Sequence, residues 1–390
     1  MSFDFQDYNV NVDNPQKHLD PMDTYISFRI TTKVKQKVDE DMQYIVRRRY
    51  NDFLWLRNKL IEAFPTLVVP ALPAKHNVLE QLDRYSRSFI MMRMAMLHSY
   101  LQRVTSHPVF SCSPVLKLFL TAKSSEFMMH ARNSSGFLDR ITGSLQTLTG
   151  YNLRNSQINP EFENVRQYTN NLSTKLSVMH DVAARIQKER IELSYYIEEG
   201  MRAVENWICY EPDLRFYLQA IKDAMSDVLL SQKQNLLQTY SFYTEQPLEE
   251  YLSYTEAVKE ALSRRDAIQY NYENSCEDVS RKRIEKEQLE LLDSTNGFGF
   301  KLWKATNRDR IKKLQQDIPI LDGIVEENHD KLEIANEGMR ADLERWNVER
   351  KAEIKEILSK IAHYHVLYYQ ECLRAWEKAL EVVKNVNKDN

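Results

Sequence analysis

Residues 45–56 read IVRRRYNDFLWL. Ile45 and Val46 are β-branched and favour a strand. Three arginines follow, and Asn51 or Asp52 then caps a helix whose Phe53, Leu56, Leu60 and Phe64 recur at helical spacing. Arginine is costly to bury unless its guanidinium is paired, so a triplet at this corner calls for something anionic. By default, arginines on a strand form a solvated edge with acids nearby. Arg47 and Arg49 share one face of the strand and Arg48 takes the other, so at least two environments are implied.

Working outward, TYISFRITTKV (24–34) and QYIVRRRY (43–50) are rich in β-branched and aromatic residues, and the charged KQKVDEDM between them reads as a hairpin connection. The helix stops before Pro65. PTLVVPALPAKH (65–76) holds too many prolines for regular helix, and a helical pattern resumes near Tyr85, running through Phe89, Leu97 and Leu101 to about Val104. Residues 24–122 thus form a small α+β domain behind an N-terminal extension, 1–23. Turn formers crowd 123–160, which reads as a linker. Inside it Phe137, Leu138, Ile141, Leu145 and Leu148 give a short helix one apolar face, suited to a membrane interface or to a neighbouring domain.

After Pro160 the pattern becomes heptad-like and nearly free of breakers over about 161–206, 213–292 and 301–386. The seam shows in Leu214, Tyr217, Ile221, Met225 and Val228, then in Leu343, Trp346, Ile354, Ile357, Leu358 and Ile361. At 1.5 Å per residue the second helix would reach about 120 Å, so such helices must pack along one another and against a second chain. Pro247 and Pro319 each remove a hydrogen bond and are expected to bend the rod.

Composition agrees with a folded chain dominated by exposed helical faces. Charged residues make up 28%, hydrophobic ones 43%, and 390 residues contain only eight glycines. The net charge of -3 hides a basic excess in the first 122 residues. Cys112, Cys209, Cys276 and Cys372 lie far apart without CxxC spacing, which points to a reducing compartment and to neither a disulfide framework nor a zinc site. No apolar run approaches a spanning helix and the acidic start lacks an apolar core, so a cytosolic chain with peripheral membrane contact is expected. Catalytic constellations do not stand out: His363 and His365 are two apart and do not share a helical face. No cofactor is implied.

RRRYNDF, the helix FLWLRNKLIEAF, the loop VVPALPAKH and the helix FIMMRMAMLHSYLQRVTSHPVF together resemble a phox-homology (PX) domain. With the long helices, including the ERW at 344–346 and HYHVLYYQECLRAWE at 363–377, the whole chain resembles the PX-BAR sorting nexins, closest to the seven/thirty branch. The resemblance implies a three-stranded antiparallel sheet with helices, then an all-α BAR domain over 161–390 that dimerises. It also implies a phosphatidylinositol 3-phosphate pocket: Arg49 on the 3-phosphate, Tyr50 packing on the inositol, Lys75 at the 1-phosphate and Arg93 on the free hydroxyls. Ala71 stands where the family usually repeats proline, and Met91 and Met92 precede Arg93 where acidic or polar residues are commoner.

Further expectations concern membrane contact. Val78 and Leu79 either enter the bilayer beside the headgroup or pack within the domain. Arg281, Lys282, Arg283, Lys286, Lys301, Lys304, Arg308, Arg310, Lys312 and Lys313 either line a lipid-binding surface or form a solvated helical face, with Glu285, Glu287 and Glu290 diluting the first group. Phe298, Phe300 and Trp303 pack a hairpin tip or dip into lipid, packing being the simpler reading. The resemblance implies endosomal sorting and recycling with a link to autophagy, residence on early and recycling endosomes, and a heterodimer with a sorting-nexin-four-like protein, a homodimer remaining open. Two rivals stand: a coiled-coil scaffold whose PX domain binds protein, and a PX domain selective for another phosphoinositide.

Overall fold

The computed structural model describes residues 8–19, 24–34, 42–73, 86–132, 159–295 and 301–385. Three antiparallel strands, β1 (Tyr8–Leu19), β2 (Thr24–Val34) and β3 (Met42–Arg49), lie in sequential order. β1 occupies the segment expected to be an extension, which corrects that boundary. Its Tyr8, Val10 and Val12 face inward and alternate with exposed Asn9 and Asn11, the period of a half-buried strand. The register slips between Asp13 and Gln16, where Asn14 has a φ of 45° and Pro15 has no N–H to offer the ladder.

Four helices cover this sheet: α1 (Tyr50–Ala63), α2 (Arg87–Ser106), α3 (Pro114–Thr121) and α4 (Ser124–Arg132). α1 begins one residue before the expected caps. The Asp52 carboxylate, on the third helical residue, accepts from the Arg49 N–H at 2.8 Å and settles the helix start. Ser86 caps α2 by accepting from the Phe89 N–H. The core joins Phe28 and Ile30 of β2 to Phe53, Leu56 and Leu60 of α1, Leu97 and Leu101 of α2, and Phe119 of α3. Phe127 of α4 belongs to the same core, so the first turns of the expected linker are part of the domain.

The second module holds α5 (Pro160–Tyr210), α6 (Arg215–Ser231), α7 (Gln246–Thr295) and α8 (Lys301–Asn385). The second expected helix is not uniform. Two π-helical stretches, Gln232–Leu237 and Ser241–Glu245, separate α6 from α7. The second contains Tyr243, whose carbonyl a proline at 247 would strike in α-helical geometry, so the wider turn accommodates Pro247. Pro319 lies within α8, which runs unbroken for 85 residues, roughly 130 Å.

One helical core centres on Phe162, Tyr251, Val258, Leu262, Met339 and Trp346, and a second on Ala224, Val228, Ala375 and Ala379. Of the expected seam, Val228 and Trp346 are buried, while Leu214 and Leu358 are exposed. Farther along, Tyr195, Tyr196, Tyr369, Leu373 and Trp376 are exposed too, an apolar face unused within one chain.

Residues 64–73 join the two modules. Val68 is fully buried in the helical core, whereas its neighbour Val69 is buried in the sheet core. Two adjacent valines of this loop thus serve two cores.

Candidate functional site

The arginine triplet separates into three environments. Arg48 is only 1% exposed. Its Nε donates to the Phe119 carbonyl at 3.1 Å, Nη2 to the Ala122 carbonyl at 2.6 Å and Nη1 to the Arg47 carbonyl at 3.0 Å. The guanidinium also lies over the Phe127 ring, 4.3 Å from its centroid. Burial lowers its pKa to about 10, with Asp52 pulling the other way, and it stays charged at neutral pH. Its partners are carbonyls and rings rather than an anion, an arrangement hidden from a sequence because it depends on a contact with α3 and the turn after it.

Arg47 is spent on the β1–β2 bulge. It donates from Nε to Ser27 Oγ at 2.9 Å, and from Nη2 to the carbonyls of Asn14 and Ser27 at 2.8 and 2.9 Å. Asp13, the acid nearby, is engaged with Arg29 at 2.6 Å.

Arg49 ends β3 opposite Ser27. Its side chain is 44% exposed, and among the described residues its carboxylate neighbour is Asp52, at 3.7 Å from Nε, beyond a hydrogen bond. The Tyr25 ring flanks its guanidinium at 5.4 Å and itself stacks on His18 at 4.8 Å. Burial raises the Asp52 pKa against the pull of the Arg49 amide and charge.

Tyr50 is the centre on which the other expected residues converge. The Arg93 guanidinium lies over its ring at 4.7 Å and over Phe89 at 4.6 Å. The Tyr50 hydroxyl donates to the Pro73 carbonyl at 2.6 Å, tying the ring to the proline loop, and burial raises its pKa. Arg49, Tyr50 and Arg93 are thus brought together at one corner. Lys75, Val78 and Leu79 lie outside the described residues. Sequence reasoning missed Tyr25 and Phe89 as flanking rings. The register that sets Arg49 opposite Ser27, two residues from Tyr25, identifies the first, and the i, i+4 spacing of Phe89 and Arg93 on α2 identifies the second.

The basic residues near the α7–α8 hairpin are differently disposed. Arg281 pairs with Asp278 at 2.9 Å and Lys282 with Asp317 at 3.0 Å, while Arg283 grips both oxygens of Asp322 at 2.8 and 3.0 Å. Lys286 approaches Glu290 at 3.7 Å, and Arg310 reaches Glu285 at 2.7 Å. Arg308, Lys312 and Lys313 are exposed on α8. The structure does not describe Phe298 and Phe300, nor the side chains of Lys301, Trp303 and Lys304, and the apolar helix expected within 137–148 also falls outside it. His365 accepts from Arg190 at 2.7 Å and donates to the Ile361 carbonyl, a structural role.

Among the described residues no group of His, Cys, Asp and Glu could hold a metal ion, and no helix is long and apolar enough to cross a membrane. The PX domain family model matches residues 36–123, and the family model described as Vps5 C terminal like matches 140–382. Sorting nexin-30 of Mus musculus is 31% identical over 384 residues, covering 97% of this chain and 78% of the relative. Sorting nexin-7 of Homo sapiens is 29% identical over 387 residues, covering 98% and 91%. The cryo-EM structure of the SNX-BAR Mvp1 tetramer shares the fold at a TM-score of 0.65 and 17% identity, covering 95% of this chain and 99% of that one. With a family model over 140–382, a PX model over 36–123 and a sorting nexin relative 31% identical across nearly the whole chain, the chain belongs to the PX-BAR sorting nexins.

Proposed function

We propose that this chain is a peripheral membrane protein that reads phosphatidylinositol 3-phosphate through its PX region while its BAR dimer follows membrane curvature. The process is endosomal sorting and recycling, linked to autophagy, on the cytosolic face of early and recycling endosomes. Membership of the PX-BAR sorting nexins supports phosphoinositide-membrane binding and dimerisation through the BAR region.

The observation that carries the lipid reading is the fate of the triplet. Arg47 and Arg48 are consumed by carbonyls, whereas Arg49 presents an exposed guanidinium beside the Tyr25 ring, and the next residue, Tyr50, carries the Arg93 guanidinium over its own ring. A guanidinium fork binds phosphate oxygens bidentately, a tyrosine face shields one side of an inositol, and a second guanidinium donates to ring hydroxyls. In this reading Arg49 holds the 3-phosphate, Tyr50 packs on the ring, Arg93 donates to the free 4- and 5-hydroxyls, and Lys75 meets the 1-phosphate as a point charge. In this reading specificity for that headgroup rests on Arg93 meeting hydroxyls where other phosphoinositides carry a further phosphate.

The helical module adds avidity. Two headgroup sites on one dimer bind together at high effective concentration. An anionic leaflet offers about 1 kcal/mol per unpaired basic residue. Most of the described basic residues at the α7–α8 end are already paired with acids, so general attraction there falls mainly to the exposed Lys312 and Lys313. The exposed face around Tyr195, Tyr369 and Trp376 suits the dimer seam, with a sorting-nexin-four-like chain as its partner.

Co-sedimentation with vesicles carrying single phosphoinositides, at two diameters, tests this reading. Binding confined to the 3-phosphate lipid, lost in Arg49→Ala and stronger on small vesicles is expected. Binding that is unselective or survives Arg49→Ala sinks the pocket and favours a protein-binding scaffold; selectivity for a different phosphoinositide reassigns Arg93.

A further inference from the structure

The loop that seats Tyr50 is held from outside its own domain. Residues 64–73 include Pro65, Pro70 and Pro73, which have no N–H, so the loop makes few bonds to itself: Leu67 N to the Phe64 carbonyl and Val69 N to the Leu67 carbonyl. The remaining groups require outside partners, since an orphaned backbone polar group in a buried segment is costly.

The helical module supplies them. The buried Val68 N–H donates to Asp342 Oδ2 of α8 at 2.6 Å. Arg264 of α7 donates to the Pro65 carbonyl at 2.6 Å and to the Leu67 carbonyl at 3.2 Å. Arg57 of α1 bridges the modules, giving one donor to the Pro70 carbonyl at 3.0 Å and another to Glu260 of α7 at 2.6 Å. Gly338 of α8 faces the loop, where an added Cβ would make ordinary contacts with Thr66 and Leu67 at 3.6 and 3.8 Å. At its far end the loop receives the Tyr50 hydroxyl on Pro73.

Asp342 is itself fully committed. Oδ1 accepts from Arg345 and from His107 Nε2 at 2.9 Å. His107 Nδ1 accepts from the N–H groups of Val109 and Phe110, which places the imidazole proton on Nε2. The second flank of the site is clamped as well: Arg103, on the same helix as Arg93, pairs with Glu250 of α7 at 2.8 Å and Glu353 of α8 at 2.6 Å. The crevice between Pro70–Pro73, α2 and α7 is about 10 Å³, the room of one water.

We propose that Asp342 and Arg264 of the helical module are positioning residues for the inositide site, fixing the loop that orients Tyr50, so that headgroup affinity depends on side chains 274 and 199 residues in sequence from the loop residues they hold. The proposal rests on the phosphoinositide reading above. A preorganised site loses affinity when its supporting contacts are removed, because binding must then restore the order. The clamp also transmits in reverse: headgroup binding stiffens the junction between the modules.

The test is calorimetric titration of the full chain with soluble dibutanoyl phosphatidylinositol 3-phosphate, which removes curvature and avidity from the readout. Asp342→Asn and Arg264→Gln are compared with Arg49→Ala and with Val228→Ala, a substitution in the other helical core that lowers stability without touching the loop. Both positioning variants are expected to bind about fivefold or more weakly, with dimer mass unchanged, faster amide exchange over 64–73, and normal affinity in Val228→Ala. If Arg49→Ala abolishes binding while both positioning variants match the wild type, the positioning role is overturned and the pocket stands. If Arg49→Ala binds normally, the pocket reading falls and takes the proposal with it. Arg264→Gln decides alone should Asp342→Asn not fold.

Discussion

Two basic triplets, Arg47–Arg48–Arg49 in the sheet module and Arg281–Lys282–Arg283 in the helical module, look alike in sequence and have opposite fates. Along the strand, neighbours point to opposite faces, and each arginine meets a different environment: a bulge, a core and solvent. On α7, each of the three meets an acid of its own helix or of α8, and the local charge is largely balanced. A run of basic residues therefore says little about anion binding until its geometry is known. What distinguishes Arg49 is a side chain left exposed beside the Tyr25 ring and next in sequence to Tyr50, the ring that Arg93 covers.

The largest effect that sharpens the contrast is expected at Arg48. Arg48→Ala strips donors from the Phe119, Ala122 and Arg47 carbonyls and empties the space over Phe127, costing about 3 kcal/mol or more. Thermal unfolding of the sheet module read by amide exchange would show it, and unchanged stability would break the assignment of Arg48 as structural. Arg49→Ala should leave unfolding within about 0.5 kcal/mol, as expected for an exposed side chain, while its affinity for 3-phosphate vesicles falls by tenfold or more, at about 1.4 kcal/mol per decade.

Much of this was legible beforehand. The β2–β3 hairpin, α1 and the long helices follow from period and breakers, and the corner at Arg49 from the motif. β1 is harder to read, because Asn14 and Pro15 interrupt a segment in which Tyr8, Val10 and Val12 alternate with polar residues; the interruption is a bulge inside a strand. The π stretches were hidden because each shifts the apolar face within an otherwise helical pattern. The pairing of Lys282 with Asp317 and Arg283 with Asp322 depends on the antiparallel register of α7 and α8, which spacing within one helix does not encode. The same holds for Val68 and Asp342, separated by most of the chain.

A smaller effect concerns pH at the junction. Burial pushes the Asp342 carboxyl up, but the hydrogen bond from His107 and the charge of Arg345 outweigh it and hold its pKa below the ordinary value of 3.8. A depressed folded pKa stabilises the fold above the unfolded value and loses that contribution as pH falls through the folded one. The junction should therefore hold from neutrality down to about pH 4 and loosen below it, and Asp342→Asn should flatten that acid limb in unfolding curves. An acid limb identical in the variant would remove Asp342 as its source. The smallest effect belongs to the helical triplet: Arg283→Gln, which loses an exposed pair with Asp322, should cost about 1 kcal/mol or less. A larger loss would mean that the surface pair is structural after all.

The most direct measurement sets the two triplets against each other: co-sedimentation with phosphatidylinositol 3-phosphate vesicles of Arg49→Ala and of a variant with Arg281, Lys282 and Arg283 all changed to glutamine. The account predicts that the single substitution abolishes selective binding and that the triple one retains it. Retained selectivity in Arg49→Ala together with its loss in the triple variant would contradict it, and would move lipid recognition to the helical module.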